Sequence, residues 1–241
     1  MASISLKSLT KKIKDWVKFK KRYQEVASVL KDNRFSCEWD ERLMILGEDT
    51  ATTAFDAHYV YHTAWAARIL AKERPALHVD ISSDLRFVTL VSAFVPIEFY
   101  DYRPVEMSLS GLTSKAGDLM NLPFKDESAS SLSCMHVIEH IGLERYGDPL
   151  DPKGDIKAMN ELKRVLAKGG SLFFVTPIGG KARIQYNAHR IYTYEMILKA
   201  FAPLKLQSFA LVTDEGKYIE NSSGAEADKQ KYGCGCFHFK N

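Results

Sequence analysis

The sequence has no apolar run long enough to cross a bilayer, which argues against a helical membrane span. Its N-terminus carries lysines where a secretory leader would have an apolar core, so no export signal is expected. Cysteine is scarce, with four residues in total: Cys37, Cys134, Cys234 and Cys236. Four cysteines in 241 residues make no disulfide framework, and a reducing, cytoplasmic setting is the expectation. Repeats and low-complexity tracts are absent. A large excess of one charge is absent too, since the formal net charge is only +3.

The charge is unevenly placed. Residues 1–34 hold ten Lys and Arg against three acids, which makes that stretch +7 and leaves −4 for the remainder. The basic character belongs to an appendage, so a nucleic-acid partner for the main domain is not expected. Leu9, Ile13, Trp16, Val17, Tyr23, Val26 and Leu30 recur at helical spacing among the lysines. Residues 1–35 therefore read as a basic amphipathic helix. It either packs on the domain or makes a weak contact with an anionic membrane surface.

The rest, residues 36–241, alternates strands with helices. Helical spacing marks Tyr61–Ile69, Leu85–Phe94, Ile156–Leu166 and a helix capped by Thr193. Apolar runs at Ala76–Ile81, Ile97–Asp101, Leu132–Val137, Ser171–Val175, Leu204–Val212 and Cys236–Phe239 read as strands. Gly169-Gly170 is expected to stop the third helix. This order implies a mainly parallel sheet with helices on both faces and an antiparallel edge made by the last strand pair.

In such a sheet ligands bind beyond the carboxyl ends of the strands. The residues there are chemically suggestive. Asp80 and Ser82 follow the first strand, where glycine is missing. Asp80 either pairs with an ammonium group or forms a turn. Asp101 follows the second strand, where a carboxylate can accept hydrogen bonds from a ribose. Asp118 and Leu119 lie in Gly117–Phe124, which suits an adenine amine and ring. His136, Glu139 and His140 close the next strand, a natural place for a general base. The loop that follows carries Arg145, Asp148, Asp151 and Asp155. Its spacing fits no metal loop, and no metal is expected; it could form a lid. Asn187, His189 and Arg190 offer an amide, an imidazole and a guanidinium to a polar acceptor. Cys234-Gly235-Cys236, with only His238 near in sequence, reads as structural.

Gly117-Asp118, Leu122-Pro123-Phe124, His136–His140 and Glu161–Leu172, in this order, resemble the class I S-adenosylmethionine (SAM)-dependent methyltransferases. His78–Ser83, Asp101–Pro104, Glu139–Pro152 and Asn187–Arg190 resemble, more narrowly, a bacterial family of methyltransferase-like proteins of unknown function. The likeness covers residues 57–239. It implies a Rossmann-like fold with a seven-stranded, mainly parallel sheet and an antiparallel C-terminal strand. It implies SAM as cofactor, with Asp80 and Ser82 at its methionine end, Asp101 at the ribose, and Asp118, Leu119 and His136 around the adenosyl group. The closer family keeps a glycine where Ser82 stands, a position that needs positive φ.

The implied activity is methyl transfer to a small-molecule or glycan-like acceptor, with O-methylation favoured. His140 or His189 would remove the acceptor proton, Asp148 would orient the histidine, and Glu139, Arg145, Asn187 and Arg190 would hold the acceptor. The glycine-free first loop keeps a second reading open, a non-catalytic methyltransferase-like module in envelope polysaccharide biosynthesis. A nicotinamide-dependent dehydrogenase is disfavoured by the same missing glycines.

Overall fold

The computed structural model describes residues 6–30 and 35–241, and these divide between two compact units, Met1–Phe55 and Asp56–Asn241. The division falls after Phe55, where the charge pattern suggests one at 35/36.

In the first unit, α1 spans Leu6–Val29 and a short 3₁₀ turn spans Trp39–Glu41. Trp16, Phe19 and Tyr23 share one face of α1, because residues three, four and seven apart stack on a helix. Trp39 packs on all three, with ring centroids at 6.4, 6.3 and 4.8 Å. The Tyr23 hydroxyl donates to the Cys37 carbonyl at 2.7 Å. Residues 1–5 and 31–34, including Lys31 and Arg34, lie outside the described residues, and with them part of the segment expected to touch a membrane surface. Among the described residues no helix is long and apolar enough to cross a membrane.

The second unit runs α2 (Ala57–Glu73), β1 (His78–Ile81), α3 (Leu85–Val91), β2 (Ile97–Asp101), β3 (Leu112–Ala116) and β4 (Ala129–Met135). It continues with α4 (Gly154–Val165), β5 (Leu166–Ile178), a hairpin of β6 (Arg183–Gln185) and β7 (His189–Ile191), and α5 (Tyr194–Phe201). Last come β8 (Lys205–Val212), β9 (Tyr218–Ile219), α6 (Gly224–Ala227) and β10 (Gly233–Lys240). Side-chain caps start α2, α3 and α5. Asp56 accepts from the Tyr59 N–H, Asp84 from Arg86, and Thr193 from Met196. Arg74 adopts a left-handed conformation, φ 46°, and ends α2 just before Pro75.

The main sheet has the order β3-β2-β1-β4-β5-β10-β8-β9. It has eight strands where seven are expected, and the addition is the two-residue β9 at one edge. The strands from β3 to β5 are parallel neighbours. β10 enters between β5 and β8 and is antiparallel to both. The last strand pair thus makes the antiparallel end of the sheet, as expected, and within it β10 takes the inner place. It is buried on both faces, which explains its near-continuous apolar run.

Two further expectations need correction. β3 is not among the strands expected, because Leu-Thr-Ser-Lys-Ala at a half-exposed edge lacks strong apolar alternation. Gly169 does not stop α4, which ends at Val165. Its φ of 73° instead serves an irregularity in β5, where the register with β4 jumps from Ala129↔Leu166 to Ser131↔Ser171.

Side chains of the central strands alternate between two cores, because successive residues of a strand point to opposite faces. Leu172, Phe174, Phe209, Leu211, Phe237 and Phe239 meet α4 and α5 on one face. Phe173, Val175, Ala210, Val212, Cys234 and Cys236 meet α2 and α3 on the other. On the first side the Arg164 guanidinium binds Glu161, Asp126 and the carbonyls of Leu122 and Phe124. Glu161 also accepts the Leu122 N–H at 2.9 Å. This clamp explains why Leu122–Phe124 and Glu161–Arg164 occur together, since α4 fixes the loop that follows Asp118.

Phe174 is fully buried, 4.6 Å from Phe201 between ring centroids. Phe174→Ala is expected to cost about 3–5 kcal/mol in urea unfolding, through lost transfer energy and a residual cavity.

Candidate functional site

β1 has β2 on one side and β4 on the other, so the connections turn in opposite directions from it. At this point the carboxyl ends of the strands leave a crevice. A cavity of about 360 Å³ occupies it. Its walls come from Ser82–Asp84 after β1, Asp101–Arg103 after β2, Gly117–Met120 after β3 and Met135–Val137 with His140 after β4. Tyr59 of α2 and Tyr146, Asp148 and Pro149 of the following loop complete it.

Asp101 and Asp118 both line this cavity. The Asp101 Oδ1 accepts the Arg103 N–H at 2.7 Å, and the Asp118 Oδ1 accepts that of Met120 at 2.8 Å. Each turn fixes its carboxylate through one oxygen. Leu119 is buried beside them. A Cβ at Gly117 would lie 3.0 Å from the Tyr100 side chain, so a larger residue would push this loop away.

Asp80 does not line the cavity, contrary to its expected place at a cofactor's methionine end. It is fully buried beneath the loop. Its Oδ1 accepts the Ser83 N–H at 3.0 Å, and its Oδ2 accepts the Ser133 hydroxyl. Ser133 in turn meets His78 Nε2 at 2.8 Å, and His78 Nδ1 meets Ser131 at 2.7 Å. One consistent proton arrangement runs through the chain: Ser131 donates to His78, His78 to Ser133, and Ser133 to Asp80. Burial pushes the Asp80 carboxyl up to about 6 and His78 down to about 3.

Ser82 lines the cavity with φ 56°. Its N–H donates to the Tyr100 carbonyl at 2.8 Å, and its hydroxyl to the same oxygen at 3.2 Å. The residue thus holds the left-handed conformation normally given to glycine.

His136 also has positive φ, 58°. Its Nδ1 lies 2.8 Å from Glu139 Oε1. Burial pushes Glu139 up to about 7 and His136 down to about 4, so the pair is a hydrogen bond more than an ion pair. Glu139 does not reach the cavity as an acceptor-binding group. It sits between His136 and His140, whose Nε2 is 3.8 Å from its Oε1.

His140 lines the cavity, and its Nδ1 is 2.8 Å from the Ala188 carbonyl. That oxygen can only accept, so Nδ1 carries the proton and Nε2 keeps its lone pair. Arg145 Nη1 donates to the same carbonyl at 2.7 Å and lies near Nδ1. Burial lowers the His140 imidazole below its usual value.

Four expected roles are corrected by geometry. Asp148 does not orient His140. Its two oxygens accept the N–H groups of Gly142 and Tyr146, at 2.7 and 3.2 Å. Arg190 is buried and donates to the Ile141 carbonyl at 2.7 Å, with Asp155 at 3.6 Å, so it anchors the loop and holds no acceptor. His189 bonds Gln185 at 2.8 Å, stacks on Tyr232 at 4.9 Å and meets His140 edge-on at 6.2 Å without lining the cavity itself. Asn187 is exposed between β6 and β7 and is not part of the wall either. Asp148 and a backbone bond from Asp151 to Gly142 close the 142–151 loop on itself. A Cβ at Gly142 would fall 2.1 Å from the Asp151 carbonyl oxygen, so this closure needs glycine.

Sequence reading missed Tyr59, Arg103 and Tyr146. Arg103 and Arg145 lie over the Tyr146 ring at 4.8 and 5.1 Å, and Tyr146 meets His140 edge-on at 5.5 Å. Isolated aromatic residues carry no spacing signal, and only the loop fold brings these together.

Comparison with known proteins supplies the fold. A sequence family described as "Caenorhabditis protein of unknown function, DUF268" matches residues 124–224, less than half of the chain. Its description names no bacterium, so the bacterial attribution gains no support. No curated protein sequence matches the chain. Solved structures do. The N-methyltransferase NodS from Bradyrhizobium japonicum, solved with S-adenosyl-L-homocysteine, is similar at TM-score 0.52 and 13% identity, over 77% of this chain and 87% of that one. A SAM-dependent methyltransferase from Thermotoga maritima is similar at TM-score 0.50 and 17% identity, over 77% and 92%. The [4+2]-cyclase SpnF is similar at TM-score 0.51 and 13% identity, over 73% and 81%. The chain has the Rossmann-like methyltransferase fold. The cyclase shows that this fold alone does not set the chemistry.

Two predictions follow from the loop after β1. The Asp80 pKa is raised on folding, so its stabilising contribution is complete below about pH 4 and is lost as pH rises through about 6. Between pH 4 and 7 the wild type should lose on the order of 2–3 kcal/mol more stability than Asp80→Asn, by urea unfolding. Parallel pH profiles would refute this. At Ser82, Gly should be neutral or stabilising by up to about 1 kcal/mol, whereas the β-branched Val should cost about 2 kcal/mol in the same assay.

Proposed function

We propose that this chain is a SAM-dependent methyltransferase acting on a small polar or glycan-like acceptor, with a hydroxyl as the methyl-accepting group. The observation that carries the reading is the placement of Asp101, Asp118 and His140 on the walls of one cavity at the switch point of the sheet. The residues present fit such a cofactor. Asp101 and Asp118 each offer a free carboxylate oxygen for ribose and adenine donors. Leu119 and Met120 supply apolar cover, and Gly117 keeps the loop close. Ser82 would face the methionine end. When bound, the cofactor supplies an electrophilic methyl group.

The chain's own part is positioning and proton removal. His140 Nε2 takes the acceptor proton. The Ala188 carbonyl holds the Nδ1 proton and so fixes the useful tautomer. Arg145 secures that carbonyl. Arg103 and Arg145, gathered on Tyr146, give the rim a cationic character that suits a polar or anionic acceptor. A non-catalytic module is the second reading, and the Ser82 side chain in a cavity wall where the resembled family has glycine favours it.

Calorimetry with SAM and S-adenosylhomocysteine tests the proposal. Saturable binding, weakened at least about tenfold by Asp101→Ala or Asp118→Ala, is expected. Absence of binding to both compounds would leave the non-catalytic reading. His140→Ala should abolish methyl transfer with S-adenosylhomocysteine affinity unchanged. Because His140 titrates below its usual value of about 6.5, wild-type turnover should be flat above pH 7 and fall on the acid side.

A further inference from the structure

His58, His136 and Cys234 come from α2, the residue after β4 and the start of β10. The fold brings their ligand atoms within 4.8 Å of one another. Among the described residues no other three His, Cys, Asp or Glu side chains gather in this way.

A second observation points to an occupant. His136 Nδ1 is engaged by Glu139, which leaves Nε2 as the ligand atom. That nitrogen is buried and has no hydrogen-bond partner. Buried polar atoms are normally satisfied, so an unpaired ring nitrogen in a nearly inaccessible side chain asks for a partner. A carboxylate on the far nitrogen of an imidazole is also the usual way to orient a metal-binding histidine. His58 stacks on His136 at 5.7 Å between centroids, and Tyr232 lies against its ring at 5.0 Å. The Cys234 sulfur is fully buried. His62, whose Nδ1 contacts the His58 carbonyl at 2.7 Å, leaves another buried nitrogen without a partner beside the group.

We propose that His58, His136 and Cys234 bind one divalent cation of the zinc class. One thiolate and two imidazoles form a borderline-soft donor set, suited to zinc and unsuited to magnesium or calcium, which take oxygen ligands. Binding expels the Cys234 thiol proton to solvent. Burial already holds both histidines neutral, at about 4, so neither has to lose a proton. His58 is only half-buried, which gives the ion a way in. Three protein ligands leave a tetrahedral ion one position for water or for a donor atom of a small molecule. His136 also lines the cavity described above, so the ion would stand at its wall. The proposal does not depend on SAM binding.

The sequence reading expects no metal here, because it looks for partners near Cys234 and finds only Cys236 and His238. The partners lie far away in the chain.

The test uses the full chain, stripped with a chelator and dialysed, then titrated with Zn²⁺ alone and with Co²⁺ as a spectroscopic probe. One Zn²⁺ per chain and a thiolate-to-cobalt charge-transfer band are expected. Cys234→Ser should abolish the band, and His58→Gln should weaken Zn²⁺ binding at least about 100-fold. Glu139→Gln should weaken it about 10–100-fold through the orientation of His136. Cys37→Ser should change nothing. His58 is half-buried, so its variant serves where Cys234→Ser does not fold, with circular dichroism as the check. No saturable uptake, or uptake that His58→Gln and Cys234→Ser leave intact, would overturn the proposal.

Discussion

A carboxylate with no access to water sets the shape of the site. Asp80 holds the Ser83 backbone on one oxygen and the Ser133 hydroxyl of the next strand on the other. The loop after β1 is thereby tied to β4, across the point where the sheet changes direction. The left-handed turn at Ser82 and the crevice beside it both rest on this tie. A buried charge would be expensive without such partners, and burial does push the group toward its neutral form. The Ser131–His78–Ser133 chain polarises the same oxygen from behind, and each of its bonds strengthens the next.

The same logic sorts the other polar residues into two groups. Some are taken up by the scaffold. Asp148 closes its own loop, Arg190 anchors the segment after His140, and Arg164 with Glu161 clamps the segment after Asp118. Others are held by one hydrogen bond and left open on the remaining side. Asp101, Asp118 and His140 are of this kind, each held at one atom, with Arg145 beside the His140 contact. A ligand site needs the second group, and it needs the first to hold the second still. The fold places the open groups on one cavity, while the closed ones hold the loops around it.

The face of the sheet toward α2 has its own chemistry. β10 alternates strictly, so Cys234, Cys236 and His238 all point to α2, while Phe237 and Phe239 point away. α2 brings His58 and His62 one turn apart onto that face. The residue that joins the two regions is His136, which belongs to the cavity wall and to the histidine group at once. An ion at that group would therefore be felt in the cavity.

Periodicity and end signals in the sequence determined the α/β class, most of the helices, and the parallel strands. These depend on local spacing and on burial, which a single chain displays directly. Asp101 after β2 and His140 after β4 could be singled out because each follows an apolar strand, and Asp118 because of its place in Gly117–Phe124. β3 was not readable, since an edge strand of small polar residues has no alternation to show. Tertiary structure alone decided which polar residues face the cavity and which serve as struts, because that depends on hydrogen bonds between segments distant in the chain. It alone turned Asp148 and Arg190 to backbone partners and brought Tyr59, Arg103 and Tyr146 to the cavity. It alone placed His58 beside Cys234, through the insertion of an antiparallel strand whose pairing partners no local pattern specifies.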